Sequence, residues 1–268
     1  MTMKLNSYSR LQGVLVIGLM AAGVSFADTI VVTYEGAGVQ TPDTTAICGV
    51  ADVTCDIGTE TFNSYTGSWN GTADFVGTTG ITGTYSGQYY LQDANAYGGA
   101  GGTGKYIDVD PGESYTLSLS VNGVPGVNYF GLWFSALDAG NLMQFYNGST
   151  LLYSFTPADF ISLVGACSGS NLYCGNPNNR SEDSGEQFAF LNFFDTTGFF
   201  TSIVFSEGGS YSGDFESDNH TVAYLNPPDP SGTDLYAPEP GGLGLFAAGG
   251  IVLALGVSRR RGGPSQIG

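Results

Sequence analysis

The chain is poor in positive charge. Of 268 residues only seven are lysine or arginine, against 24 aspartate and glutamate. Five of the seven stand outside the central part, as Lys4, Arg10, Arg259, Arg260 and Arg261. All 24 acids lie between Asp28 and Glu239, where Lys105 and Arg180 are the only bases, giving that body a formal charge of −22. A surface of this kind repels phosphate backbones and anionic lipid headgroups, so nucleic acid is not a partner. Histidine is almost missing too. His220 is the single one, which leaves little material for a serine triad or a histidine-rich zinc centre. There is no G-x-S-x-G elbow and no H-E-x-x-H helix, and no cysteine has a histidine near it in sequence. Charged residues make up 12% of the chain while glycine alone contributes 42 residues, a balance usual for exported β-proteins and unlike a helical enzyme.

Both ends carry apolar runs. Met1 to Arg10 holds two bases and no acid, Leu11 to Phe26 is mostly apolar, and Ser25-Phe26-Ala27 offers small residues at the two positions a signal peptidase inspects. Residues 1–27 therefore read as a secretory signal peptide, cut after Ala27. At the other end Pro238-Glu239-Pro240 precedes the apolar segment from Gly241 to Val257, and Arg259-Arg260-Arg261 follows it. At about 1.5 Å per residue that segment spans roughly 25 Å as a helix, a marginal membrane crossing. The arginines belong on the cytoplasmic side, which leaves the Pro-Glu-Pro turn facing outward.

This order of polar turn, apolar run and cationic stop resembles the tail of PEP-CTERM proteins. The resemblance rests on Pro238, Glu239, Pro240, the glycine-spaced run and Arg259 to Arg261, about 24 residues. It implies transient membrane insertion, processing by an exosortase at a Gram-negative envelope, and association with exopolysaccharide or biofilm. A plain, uncut C-terminal anchor is the alternative.

Between the termini the expected organisation is one domain over 28–225, a proline-rich linker over 226–237 and the sorting tail over 238–261. The four cysteines form two groups with equal spacing, Cys48 with Cys55 and Cys167 with Cys174. In an exported chain an even count reads as disulfides. Three connectivities are open, and pairing of near neighbours is favoured because each pair brackets a short loop of turn formers.

The pattern along the body is one of short strands. Tyr115 to Val121 alternates apolar and hydroxyl residues, launched by Asp110-Pro111-Gly112 and ended by Asn122-Gly123. Asn128 to Asp138 is apolar enough to be buried on both faces. Asn141–Tyr146 and Ser149–Phe155 flank Asn147-Gly148, a two-residue hairpin signal. Further strands are expected at 29–35, 60–65, 69–76, 81–85, 88–91, 187–194, 200–206 and 221–225, with long loops at 36–58, 98–104 and 165–186. Phe188, Phe190 and Phe194 share one face. A single short helix is expected from Pro157 to Val164, with Thr156 as its N-cap. The fold expected is all-β, an antiparallel sandwich of jelly-roll or galactose-binding-like type, with an immunoglobulin-like sandwich as second choice. The segment 105–225 faintly resembles the bodies of PEP-CTERM surface proteins and galactose-binding-like sandwiches.

Functional residues are harder to find. Asp108, Asp110 and Glu113 form a D-x-D-x-x-E cluster, and Asp214, Glu216 and Asp218 alternate farther on. Hard oxygen ligands on loops suit calcium, the one ion the sequence suggests, although alternating acids on a strand more often form a solvated face. His220 reads as a surface or capping residue, Trp133 as core, and Trp69 as a residue that could stack on a sugar ring. The reading that follows is an exported, non-enzymatic surface or matrix protein without an established cofactor, with signal peptidase, exosortase and exopolysaccharide as partners. A carbohydrate-binding module or a glycan hydrolase using two carboxylates is the alternative.

Overall fold

The computed structural model describes residues 30–48, 55–65, 69–124, 126–168, 170–210, 213–226 and 228–236. Ala27, Pro238, Glu239, Pro240, the 241–257 run and Arg259 to Arg261 lie outside the described residues, as does Pro227 of the expected linker.

Thirteen strands are present among the described residues, β1 (Ile30–Tyr34), β2 (Asp56–Glu60), β3 (Ile81–Gly87), β4 (Tyr90–Asp93), β5 (Lys105–Val109), β6 (Ser114–Val121), β7 (Tyr129–Leu137), β8 (Asn141–Asn147), β9 (Thr150–Phe155), β10 (Gln187–Asp195), β11 (Ser202–Glu207), β12 (Phe215–Tyr224) and β13 (Thr233–Asp234). They build an eight-stranded sheet in the order β13-β1-β10-β7-β12-β5-β4, with β2 also on β12, and a five-stranded sheet in the order β3-β6-β11-β8-β9. Every strand pairing is antiparallel. The chain passes between the sheets from β2 to β3, β3 to β4, β5 to β6, β6 to β7, β7 to β8, β9 to β10, β10 to β11 and β11 to β12. This is the all-β sandwich the sequence leads one to expect.

The core lies between the sheets. From the smaller sheet come Tyr85, Tyr115, Leu117, Phe145, Ile203 and Phe205, and from the larger Ile107, Phe130, Leu132, Phe134, Leu191 and Phe193. The alternation at Tyr115 to Val121 is realised in β6, whose odd-numbered residues from Tyr115 to Leu119 face inward. β7 and β10 are buried at all nine positions, because the larger sheet is covered on its outer face as well. There Trp133, Ala136, Phe188 and Phe190 form one cluster, and Tyr129, Phe194, Ala223, Leu225 and Ile47 another. Phe188, Phe190 and Phe194 thus share a face, but it is the outer one. At the centre of that face Gly131 leaves room for the Tyr129 hydroxyl and the Phe190 ring, which a Cβ would meet at 2.3 and 2.8 Å.

Several elements depart from the sequence reading. The 36–58 loop contains a short helix, α1 (Thr44–Cys48), and the start of β2. So two α-helices are present among the described residues, not one. The strand expected at 60–65 ends where it was to begin, because the Glu60 carboxylate accepts the N–H of Phe62 and the chain turns. The 69–76 stretch makes only isolated bridges, Thr72 to Thr84 and Val76 to Thr59. The second helix, α2 (Ala158–Val164), has Pro157 at its N-cap and no capping side chain. Pro157 already has helical φ, so Thr156 is displaced from the capping position. The 226–237 segment is not all linker, since β13 pairs with β1 and Leu235 is buried against the core.

Cys48 is bonded to Cys55 and Cys167 to Cys174, the favoured connectivity. The two bridges indicate an oxidising, extracytoplasmic setting. Among the described residues no helix is long and apolar enough to cross a membrane.

Candidate functional site: an acidic cleft on the outer sheet face

β12 carries the site. Phe215 points into the core, stacked on Phe134 with ring centroids 4.3 Å apart. The two-residue period of a strand therefore sends Glu216 to the outer face. Its antiparallel partners are Asp108 on β5 and Ser135 on β7. Directly opposed residues share a face, with Cβ atoms about 5 Å apart, and like charges in that arrangement repel. Glu216 is 6% exposed and Asp108 3%. Among the described residues Glu216 Oε2 and Asp108 Oδ1 have no hydrogen-bond partner.

Glu216 opens into a cleft of about 520 Å³ whose walls include Tyr97, Ala136, Asp138, Glu186 and Asp214. Among the described residues no lysine, arginine or histidine lines it. The wall is built locally. Asp138 Oδ1 accepts the N–H of Gly140 at 2.6 Å, and Asn141 Oδ1 accepts the N–H of Asp138 at 2.9 Å, which closes the turn between β7 and β8. Asn141 Nδ2 donates to Glu207 Oε2 at 2.7 Å and to the Asp214 carbonyl at 3.1 Å. One asparagine thus ties the β7–β8 turn, the end of β11 and the entry to β12. Gly213 packs against the Asp138 carboxylate, since a Cβ there would fall 2.1 Å from Asp138 Oδ2 and push that side chain aside. Ala136 has φ +46° and is the extra residue where β7 slips against β10, a bulge beside the cleft.

Burial pushes Glu216, Asp108, Glu207, Asp214 and Glu186 upward, because the charged form loses its hydration. Glu216 is driven well above the carboxylate range by burial, then by the charges of Asp214, Glu186 and Asp108. Asp108 is raised to about 7, by burial and then by Asp214 and Asp110, against a hydrogen bond from Gln92. Glu207 is raised to about 7 by burial, with Asn141 opposing and Asp138 and Asp214 adding. Asp214 is raised by burial and by Asp110 and Asp138. Glu186 is raised by burial and by its neighbour Asp183. Such a hollow must hold protons, bind a cation, or offer neutral carboxyls as donors to a hydroxylated ligand.

The acids singled out from sequence are divided by the fold. Asp108 does not line the cleft but stands opposite Glu216 on β5. Asp110 stands exposed in the turn before β6, where its carbonyl accepts the N–H of Glu113 at 3.0 Å. Glu113 Oε1 accepts from Gln88 at 2.9 Å. Among the described residues no three Asp, Glu, His or Cys side chains stand close enough to hold a metal ion as they are placed, so Asp108, Asp110 and Glu113 do not form a ready cage. Asp214, Glu216 and Asp218 do not form a solvated face. Glu216 and Asp218 are buried, and Asp218 holds the glycine loop by accepting the N–H of Ala100 at 2.7 Å.

His220 is not at the surface. It is fully buried, with Nδ1 2.9 Å from the Tyr85 hydroxyl and Nε2 3.0 Å from Ser217 Oγ. Burial lowers its pKa to about 3, so the ring is neutral. The bulge between Asp218 and Thr221 turns it inward, with Asn219 at φ +49° absorbing the extra residue. Trp69 is no open platform either. Its ring contacts Phe62, Tyr65, Tyr85 and Tyr89, and its N–H donates to the Thr72 carbonyl. Trp133 is buried against Phe188, as expected of core. The exposed ring at the cleft is Tyr97, half open to solvent, and composition alone did not separate it from the other 15 tyrosines.

No protein-family model matches the sequence, and no curated protein matches it significantly.

Proposed function

We propose that this chain is an exported surface or extracellular-matrix protein whose sandwich is a non-enzymatic binding or structural module. The observation that carries this reading is the joint presence of two disulfides and a body of charge −22. Disulfides suit an oxidising compartment, and dense negative charge keeps a protein soluble outside the cell. The Pro238-Glu239-Pro240 turn, the apolar run and the three arginines supply the address, by their resemblance to an exosortase substrate. Exopolysaccharide or biofilm matrix is the expected surrounding.

Intact mass of the protein recovered from cell surface and medium tests this. The expected product starts at Asp28, ends near Pro240 and is four hydrogens short for two disulfides. A product that keeps Arg259 to Arg261 overturns the sorting reading and leaves an anchored envelope protein.

A second reading, carbohydrate binding or glycan hydrolysis, is favoured by one feature. Asp138, Glu186, Asp214 and Glu216 face a cleft beside the exposed Tyr97 ring. Incubation with the producing cell's own polysaccharides separates the two. Retention lost in Tyr97→Ala supports a binding module, and new reducing ends that vanish in Glu216→Gln support a hydrolase.

A further inference from the structure

Buried charge needs a counter-charge, and among the described residues this cleft has none. A carboxylate taken out of water without a partner costs several kcal/mol. Glu216 is 6% exposed, its Oε2 lacks a partner among the described residues, and it lines an open cleft. Asp108 stands opposite it on the neighbouring strand, also buried and with one oxygen unpartnered. Asp138, Glu186 and Asp214 complete the walls.

The residues around these acids keep them in place instead of relieving them. Asn141 spends its amide on Glu207 and on the Asp214 carbonyl, and Gly213 clears space for the Asp138 carboxylate. Lys105, one of the two bases of the body, pairs with Asp93 at 2.6 Å, and Asp93 does not line the cleft. The donors on offer are all oxygen, from loops and strand ends that can adjust by a rotamer. Hard, flexible oxygen sets select calcium over softer ions.

We propose that this cleft is a calcium site, with Glu216 and Asp214 as its principal ligands and Asp138 and Glu186 closing on the ion from the facing loops. Among the described residues no three acids stand close enough to hold an ion as placed, so binding requires the carboxylates to rotate inward. This inference rests on the geometry of the cleft and stands apart from the sorting reading.

The test uses the protein as cells produce it, stripped with a chelator and returned to calcium-free buffer at pH 7.5. Calorimetric titration with calcium chloride should show one saturable site. At a hundredfold excess over Kd the Tm should rise by about 5–10 °C. Terbium should bind in calcium's place and emit on tyrosine excitation, with Tyr97→Phe reducing that emission. Glu216→Gln should abolish saturable uptake. Asp214→Asn, at the more open rim and a safer variant for folding, should weaken it at least tenfold. Asp159→Asn, remote on α2, should bind like the parent. Absence of saturable uptake by the parent overturns the proposal, and so does uptake that both cleft variants leave unchanged.

Discussion

Tyr85 and His220 bond the two sheets together. The Tyr85 hydroxyl on β3 lies 2.9 Å from Nδ1 of His220 on β12, and both side chains are buried. The second imidazole nitrogen meets Ser217 Oγ at 3.0 Å. Whichever nitrogen carries the proton, one hydroxyl donates and the other accepts. The ring stacks on Phe205 at 6° with centroids 5.4 Å apart, and Phe62 and Phe130 meet it edge-on. A polar pair at the centre of an aromatic core fixes how the sheets face one another.

Removing one partner tests the pair. Tyr85→Phe keeps the ring and strands the imidazole nitrogen in an apolar core. The cost should be about 1–3 kcal/mol, the range for an orphaned buried polar group. Urea unfolding reads it as a lower midpoint at unchanged slope.

His220 also sets a pH dependence. Its folded pKa is lowered to about 3 from 6.5. The native state therefore refuses a proton that the unfolded chain accepts, and this contribution to stability is lost as pH falls from about 6.5 to about 3. At about 1.36 kcal/mol per unit, the full loss is of order 5 kcal/mol. His220→Gln keeps an amide able to bond to either hydroxyl and removes the titration. The difference in stability between parent and variant should shift steadily in the variant's favour as pH drops through this window. A flat difference would show that His220 is not a buried neutral ring.

How much of this was legible follows from the larger sheet having two buried faces. β6 was readable because one of its faces meets solvent and its apolar residues alternate. β7 was readable because aromatics run through it without interruption. β5 was missed, since Lys105-Tyr106-Ile107-Asp108-Val109 follows a glycine loop and includes an acid that proves to be buried. The Phe215 to His220 part of β12 read as an acidic surface for the same reason. Loops cover that face, and a bulge at Asn219 breaks the period that would have left His220 facing outward. Glu60 and Asp218 hold the chain through long-range backbone contacts, with Asp74 and with Ala100, which no local pattern announces.

The second disulfide guards one of those covering loops. A bridge over seven residues should contribute about 2.5 kcal/mol by chain entropy. Replacing Cys167 and Cys174 by serine should lower stability by that order and open the 165–186 segment to protease. The strands should stay protected, because Phe188, Phe190 and Trp133 remain packed beneath. Peptide mapping after brief digestion reads this, and cleavage first in β7 or β10 would contradict it.

Gly131→Ala probes the packing of the outer face. The added methyl would lie 2.3 Å from the Tyr129 hydroxyl and 2.8 Å from the Phe190 ring. Both neighbours are fully buried, and Tyr129 is held by its hydroxyl's 2.8 Å bond to Asn192 Oδ1. Overpacking of this kind costs about 1–3 kcal/mol, to be seen as a lower Tm with an unaltered far-ultraviolet spectrum.

The buried acids should make the protein most stable on the acid side of neutrality when calcium is withheld. Asp108, Glu207 and Asp218 each rise to about 7, and Glu216 rises farther. Below the unfolded carboxylate range both states hold these protons, and the contribution is complete. As pH climbs from about 4 to about 7 the unfolded chain releases protons that the native state keeps, so stability falls. His220 opposes this with a single proton between pH 3 and 6.5 and cannot offset several acids. In chelator, Tm should therefore decrease from pH 5 to pH 8. Asp108→Asn removes one of the opposed pair on β5 and β12 while keeping the shape. It should flatten the slope and raise stability at pH 8 by about 2 kcal/mol, after allowance for solvent screening at the cleft. A parent whose Tm climbs over the same range would show that these carboxylates are charged and already compensated in the folded chain.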